Sequence, residues 1–351
     1  MGIFKDHIEA MAAYAPPLEG RNPDDFTLLD FNERTIPVSD AIKQALVDYV
    51  QGNRLQQYPH YGDICERLAD YCNVELGQVM VTNGSDQGID LIIRACCREG
   101  DEIIIPAPSF AMYEQVAKVE NLNIIKPLYQ RDSGYPLAQV KAAITSKTKL
   151  IVISNPNNPC GTIVEPAAII ELAKSAKDVA ILVDECYFEY SQCTVAAAIK
   201  ECPNLLITRT FSKTWGIPSL RFGYVLAAEQ NIKALLNVRG PYDINQLAIV
   251  AATAALENPE YTERYVAEVM QQAKPRLEEF CEAKGLLYWP SAANYLWIFP
   301  DEPEALNKKL QEAAILVRPK ADAEGRTGLR ITIGTLEQTE FLIKVLDQNL
   351  L

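Results

Sequence analysis

The sequence predicts an α/β fold, with a large domain built on a mainly parallel sheet covered by helices and a smaller α+β domain beside it. Three observations carry this prediction. Strand-like apolar runs at 78–82, 102–105, 149–154, 179–183, 204–208 and 222–227 alternate with helix-like segments such as 88–98 and 166–176, the pattern of strands joined by helical crossovers. After Gly240-Pro241 the texture changes to long helical stretches at 246–257 and 261–284, followed by short strands around 294–299 and 328–333. With 351 residues, 48% of them hydrophobic, the chain is large enough to bury one extensive core plus a second, smaller one.

The first apolar run leads into Asn83-Gly84-Ser85-Asp86-Gln87-Gly88 and then a helix. A glycine followed by Ser85 and Asp86 at a helix start offers free backbone N–H groups and a favourable dipole for a phosphate. An ordinary N-cap role for Ser85 or Asp86 fits the same pattern. The run ending at Ser154 passes into Asn155-Pro156-Asn157-Asn158-Pro159-Cys160-Gly161. Two prolines fix this backbone, so the Asn158 amide is held as a preorganised donor; a plain loop is the alternative. The run 180–183 delivers Asp184 and then Tyr187 to a strand end, where open α/β sheets bind their ligands. A carboxylate facing a pyridine nitrogen keeps that nitrogen protonated and makes the ring a better electron sink, while Tyr187 hydrogen-bonds the ring's phenolic oxygen. A helix cap is the competing role for Asp184. The run 205–208 leads to Thr210-Phe211-Ser212-Lys213, with Arg221 eight residues on. A lysine at a strand mouth, among hydroxyls and an arginine, forms a Schiff base with an aldehyde while its neighbours grip a phosphate. Pyridoxal 5'-phosphate (PLP) carries both groups.

Together these motifs resemble the PLP-dependent aminotransferases of the aspartate aminotransferase fold type, and among them the histidinol-phosphate aminotransferases. The resemblance spans almost the whole chain and takes in Ala13-Tyr14-Ala15-Pro16-Pro17, Asn32-Glu33, Gln57-Tyr58-Pro59, Pro108-Ser109-Phe110, Pro290-Ser291-Ala292-Ala293-Asn294-Tyr295 and Leu329-Arg330-Ile331-Thr332-Ile333-Gly334-Thr335. It implies a seven-stranded, mainly parallel sheet in a large domain at 31–240, and a small domain formed by 1–30 with 241–351. It also implies that Lys213 is the Schiff-base lysine, Asp184 the partner of the pyridine nitrogen, and Tyr187 and Asn158 the holders of the ring oxygen. Phe110 takes the ring-stacking position; Ser85, Asp86, Thr210, Ser212 and Arg221 surround the phosphate; Tyr58 reaches that phosphate from the partner subunit of a homodimer. Arg330 grips the substrate's anionic group, and Tyr14 and Asn32 line the substrate entrance. The expected reaction is transamination from histidinol phosphate to 2-oxoglutarate in histidine biosynthesis, with an aromatic amino-acid aminotransferase or a phosphothreonine-type PLP decarboxylase as alternatives. The chain departs from the family's Asn-Glu-Asn-Pro stretch, which here reads Asn32-Glu33-Arg34-Thr35-Ile36-Pro37, and has Gln87 where an acidic residue is usual.

Charge and composition narrow the partners. With 33 Lys+Arg against 46 Asp+Glu, the formal net charge is -13, so nucleic acid is repelled overall and anionic ligands need local cations such as Arg221, Arg318 and Arg330. Arg318 stands twelve residues before Arg330, and a strand, loop and strand between them brings both guanidinium groups to one pocket for a phosphate-bearing substrate. Nine cysteines lack paired spacing, which fits reduced thiols in the cytoplasm. Only His7 and His60 are available, and no Cys-x-x-Cys pair occurs, so neither a metal site nor a Ser-His-Asp triad is expected. The sequence shows no signal-peptide pattern and no apolar run of roughly 20 residues, and a membrane partner is not expected.

Overall fold

Residues 2–350 are described by a computed structural model. The strands are β1 (Thr27–Leu28), β2 (Val79–Asn83), β3 (Glu102–Ile104), β4 (Asn123–Ile125), β5 (Thr148–Ser154), β6 (Ala180–Asp184) and β7 (Leu205–Thr210), followed by β8 (Phe222–Ala227), β9 (Leu287–Trp289), β10 (Tyr295–Phe299), β11 (Ile315–Leu316), β12 (Arg318–Ala321) and β13 (Thr327–Thr332). Seven of them form one sheet in the order β2-β8-β7-β6-β5-β3-β4. Only β8 runs against its neighbours, so the sheet is mainly parallel. Its longer strands, the edge strand β2 included, are apolar on both faces because both are covered. Val79, Val81, Ile151, Ile153, Ile181, Val183 and Ile207 pack into one core, whereas Met80, Leu150, Val152, Leu182 and Leu206 alternate into the other.

The strand β4 was not legible as an apolar run. It is a short edge element with its first residue exposed, and pairing with β3 rather than burial defines it. The helix after β2 also starts earlier than the apolar pattern indicates, at Gly84, where a φ of +72° turns the chain sharply. The expected helix 261–284 is interrupted. A π-helical turn, Val269–Ala273, separates Glu260–Glu268 from Lys274–Lys284. Pro275 explains it, since proline offers no N–H to the carbonyl four residues back and its ring crowds that carbonyl.

A four-stranded antiparallel sheet, β12-β13-β10-β9, forms the second layer system. One face, with Leu296, Ile298, Leu329 and Ile331, packs on the helices Lys274–Lys284 and Leu336–Asn349. The opposite face carries Trp289, Trp297 and Phe299 against Tyr129 and Cys160 from the large-sheet side. β1 pairs in parallel with β11, joining the N-terminal segment to this C-terminal part. The helix Gln246–Glu257 behaves differently from the grouping expected for 241–351. Its alanine-rich surface, with Ala248, Ile249, Ala251 and Ala252, is buried in the core of the large sheet, because small residues let it pack closely there. Among the described residues, no helix is long and apolar enough to cross a membrane.

Candidate active site

The C-terminal ends of β5, β6 and β7, with the start of the helix Gly84–Cys96, surround a cavity that opens to solvent. Ser85, Asp86, Phe110, Asn158, Asp184, Tyr187, Thr210, Ser212, Lys213 and Arg221 all line it. Parallel strands open their loops on one edge, so ten residues scattered over 137 positions meet in one place. Tyr113, Ser154 and Cys186 line it too, although the motifs did not single them out.

Lys213 donates from Nζ to the carbonyl of Phe31 at 2.9 Å. Burial pushes its ammonium below the ordinary lysine range, and the Arg330 guanidinium adds to that push. The amine is therefore easier to deprotonate than an exposed lysine. Asp184 is buried and accepts from Thr208 Oγ1 at 3.0 Å, from the Cys186 thiol at 2.8 Å and from the Tyr113 hydroxyl. Burial pushes its carboxyl up, against the pull of those three donors. No cation contacts it among the described residues; a protonated ring nitrogen would supply one.

At the phosphate end, the first turn of the helix Gly84–Cys96 leaves N–H groups without intrahelical partners. Two glycines shape the space. A Cβ on Gly84 would lie 2.6 Å from Arg221 Nη2, and one on Gly223 would lie 2.5 Å from the Ser85 nitrogen. Arg221 Nη2 is held 2.9 Å from Asp86, and Thr210 Oγ1 donates to Ser212 Oγ at 3.0 Å.

The turn after β5 divides its three amides between two tasks. Asn155 exchanges hydrogen bonds with the backbone of Val164, and Asn157 accepts from Cys160 N and, through its carbonyl, from Tyr295 Oη. Only Asn158 faces the cavity, where its Oδ1 accepts from Arg330 Nη1 at 2.6 Å. Arg330 Nη2 donates to the Asp30 carbonyl at 2.6 Å. Asn32, in a left-handed conformation that asparagine tolerates, donates from Nδ2 to Tyr187 Oη at 2.9 Å. Burial pushes the Tyr187 hydroxyl above its ordinary range while Arg330 pulls it down. Arg318 is the direct cross-strand neighbour of Arg330, with its guanidinium 5.3 Å from the Phe31 ring centre.

Of the other expected site residues, Asn32 and Arg330 touch side chains that line the cavity, Arg318 adjoins it only as the neighbour of Arg330, and Tyr58 and Tyr14 lie apart from it in this chain. Tyr58 is 77% exposed and stacks on Tyr242, ring centres 4.4 Å apart; Tyr14 is 41% exposed. Arg34, which replaces the family's asparagine, is buried behind the lysine loop, donating to the Thr214 carbonyl and lying between the rings of Tyr261 and Tyr265.

The sequence from residue 24 to residue 346 matches the family model for aminotransferase class I and II. The chain belongs to that family. Among aminotransferases, it is 32% identical to a histidinol-phosphate aminotransferase of Thermoanaerobacter sp. over 327 residues, covering 92% of this chain and 93% of the relative. It is 35% identical to a histidinol-phosphate aminotransferase of Brevibacillus brevis, covering 90% and 88%. The fold superposes on a histidinol-phosphate aminotransferase from Sinorhizobium meliloti in complex with pyridoxal-5'-phosphate, with a TM-score of 0.88, 19% identity and coverage of 99% and 97%. The aminotransferase cavity fits PLP on its own chemistry. It offers an amine, a buried carboxylate without a cation, an aromatic face at Phe110 and a glycine-shaped cradle beside a helix start and Arg221. Tyr113 escaped the sequence reading because its signal is helical spacing after Phe110, which is shared by ordinary core aromatics.

Proposed function

We propose that the protein transfers the amino group of histidinol phosphate to 2-oxoglutarate in histidine biosynthesis, as a cytoplasmic homodimer whose sites are shared between subunits. The observation that carries this reading is the placement of Arg318 directly opposite Arg330, whose guanidinium donates to Asn158 at the cavity, with no carboxylate paired to either arginine among the described residues. One guanidinium suffices for a carboxylate, whereas a phosphate monoester carries about -1.5 to -2 charges and three acceptor oxygens. The names of the two relatives support the same donor.

When bound, PLP supplies an aldehyde for amine exchange and a ring that receives the electron pair of a broken Cα bond. Lys213 Nζ takes the Cα proton as general base and later returns it, a task its lowered pKa suits. Asp184 fixes positive charge at the ring nitrogen, with Tyr113, Thr208 and Cys186 orienting its oxygens. Tyr187 and Asn158 would hold the ring oxygen, and Phe110 would offer its face to the ring. Ser85, Asp86, Thr210, Ser212 and Arg221 would surround the cofactor phosphate, with Asp86 holding the Arg221 guanidinium, and Tyr58 of a second protomer would reach the same phosphate. Arg330, Arg318, Asn32 and Tyr14 position the substrate. The division into a large domain and a small domain belongs to this reading, with the second, α+β unit carrying both substrate arginines.

A donor panel with 2-oxoglutarate, read as glutamate formed, tests the proposal. Histidinol phosphate is expected to give the highest kcat/KM. Turnover of aromatic amino acids alone would move the assignment to an aromatic aminotransferase, and carbon dioxide from phosphothreonine without glutamate would indicate a decarboxylase.

A further inference from the structure

Arg318, Lys320 and Arg330 stand on one face of the small sheet. β12 and β13 pair Arg318 with Arg330 and Lys320 with Gly328, and alternation along the strands puts all three cationic side chains on the same side. Trp297 flanks Arg330 from β10 on that side. Gly328 brings no side chain to the position across from Lys320, and a Cβ there would lie 2.6 Å from Trp297 Nε1.

The face is rich in donors and short of acceptors. Among the described residues, Lys320 has neither an ion pair nor a hydrogen-bond partner, Arg318 meets only the ring of Phe31, and Arg330 reaches an amide oxygen and a backbone carbonyl. Arg330 Nε and Trp297 Nε1 are buried without any acceptor. Burial pushes the Lys320 ammonium down to about 8, and the charged groups that face it, Arg330 on the next strand and Arg318 on its own, add to that push. Three mutually repelling cations in a chain of net charge -13 form an anion site that one carboxylate does not neutralise.

We propose that Lys320 is the third cation of the distal anion subsite and sets its preference for a dianionic phosphate monoester over a carboxylate. This rests on the reading of the site given above. It goes beyond it in assigning selectivity to a residue outside the Arg318–Arg330 pair.

The test uses the PLP-loaded enzyme with Lys320→Met and Lys320→Arg. Lys320→Met is expected to raise KM for histidinol phosphate about tenfold and the constant for glutamate by less than roughly threefold, with kcat falling less than either; Lys320→Arg restores most of the loss. Inorganic phosphate, as a competitive inhibitor against glutamate, separates the two readings. Phosphate inhibition weakened about tenfold in Lys320→Met supports the role of Lys320 even if the wild type ignores histidinol phosphate, a result that would overturn only the donor assignment. Unchanged phosphate inhibition, or equal losses with every donor, would overturn the role of Lys320.

Discussion

Arg209 and Glu185 form an ion pair sealed from solvent, with the Arg209 Nη2 and Nε groups 2.8 and 2.9 Å from one Glu185 oxygen. Arg209 sits between Thr208 and Thr210 on β7, and Glu185 directly follows Asp184, so the pair fastens the two strand ends that deliver the cavity's carboxylate and hydroxyls. Removing one partner strands a buried charge. Arg209→Ala is expected to lower unfolding free energy by about 3–5 kcal/mol, measured by urea denaturation. A loss below about 1 kcal/mol would mean that water reaches Glu185 and that the pair does not set strand-end geometry.

Lys213 is expected to carry the cofactor. Lys213→Ala should leave a folded protein with no measurable turnover and no borohydride-reduced adduct. Peptide mapping that finds the adduct on another lysine would refute the assignment.

Asp184 offers a test in two states. Burial raises its folded pKa above the unfolded value near 3.9, so the folded cofactor-free protein binds this proton more tightly than the unfolded chain. The resulting penalty is absent below the unfolded pKa and complete above the folded one, so stability contributed at this site falls as pH rises through that window. Asp184→Asn in the cofactor-free protein should remove this fall, as read by urea midpoints across pH 4 to 8. In the loaded enzyme the same change should cost on the order of 10²–10³ in kcat, because the ring nitrogen loses its fixed counter-charge. Near-normal turnover would reduce Asp184 to a strand-end cap.

Much of this site was legible because parallel strands announce themselves as apolar runs and end where ligands bind. Lys213, Asp184, Asn158 and the Ser85-Asp86 turn each follow such a run, and all four line one cavity. Tyr113 and Cys186 were not legible as site residues, since nothing in a lone aromatic or thiol tells which way it faces. Arg34 shows the converse limit. It was legible only as a departure from the family's stretch beside Asn32, and nothing in the sequence told that the guanidinium turns inward to stack between two tyrosines, a contact made with residues more than 220 positions away. The packing of the helix Gln246–Glu257 on the large sheet was not legible for a related reason, because a run of alanines gives no face to read.

Arg318 should discriminate between substrates. Arg318→Ala is expected to weaken histidinol phosphate by roughly 1.5–3 kcal/mol, as RT ln of the change in kcat/KM, with a smaller loss for an aromatic amino acid. Equal losses would assign Arg318 to holding Phe31 rather than substrate.

Shared sites predict complementation. Mixing Lys213→Ala with an inactive Tyr58→Ala variant should regenerate activity, because one composite site in each mixed dimer has both residues intact. A fully active monomer by light scattering would exclude the arrangement.

The pairing of β1 with β11 also sets an order of events during synthesis. Thr27 and Leu28 align with Ile315 and Leu316, and Thr332 N donates to the Leu29 carbonyl, so this early segment waits for nearly 290 further residues before it has a partner. By then all seven strands of the large sheet, with Lys213 and Asp184, have left the ribosome. Phe31, whose carbonyl receives the lysine, therefore reaches its place only when the arginine-bearing strands arrive. The nascent chain can assemble the groups that hold PLP well before it has any means of holding a substrate.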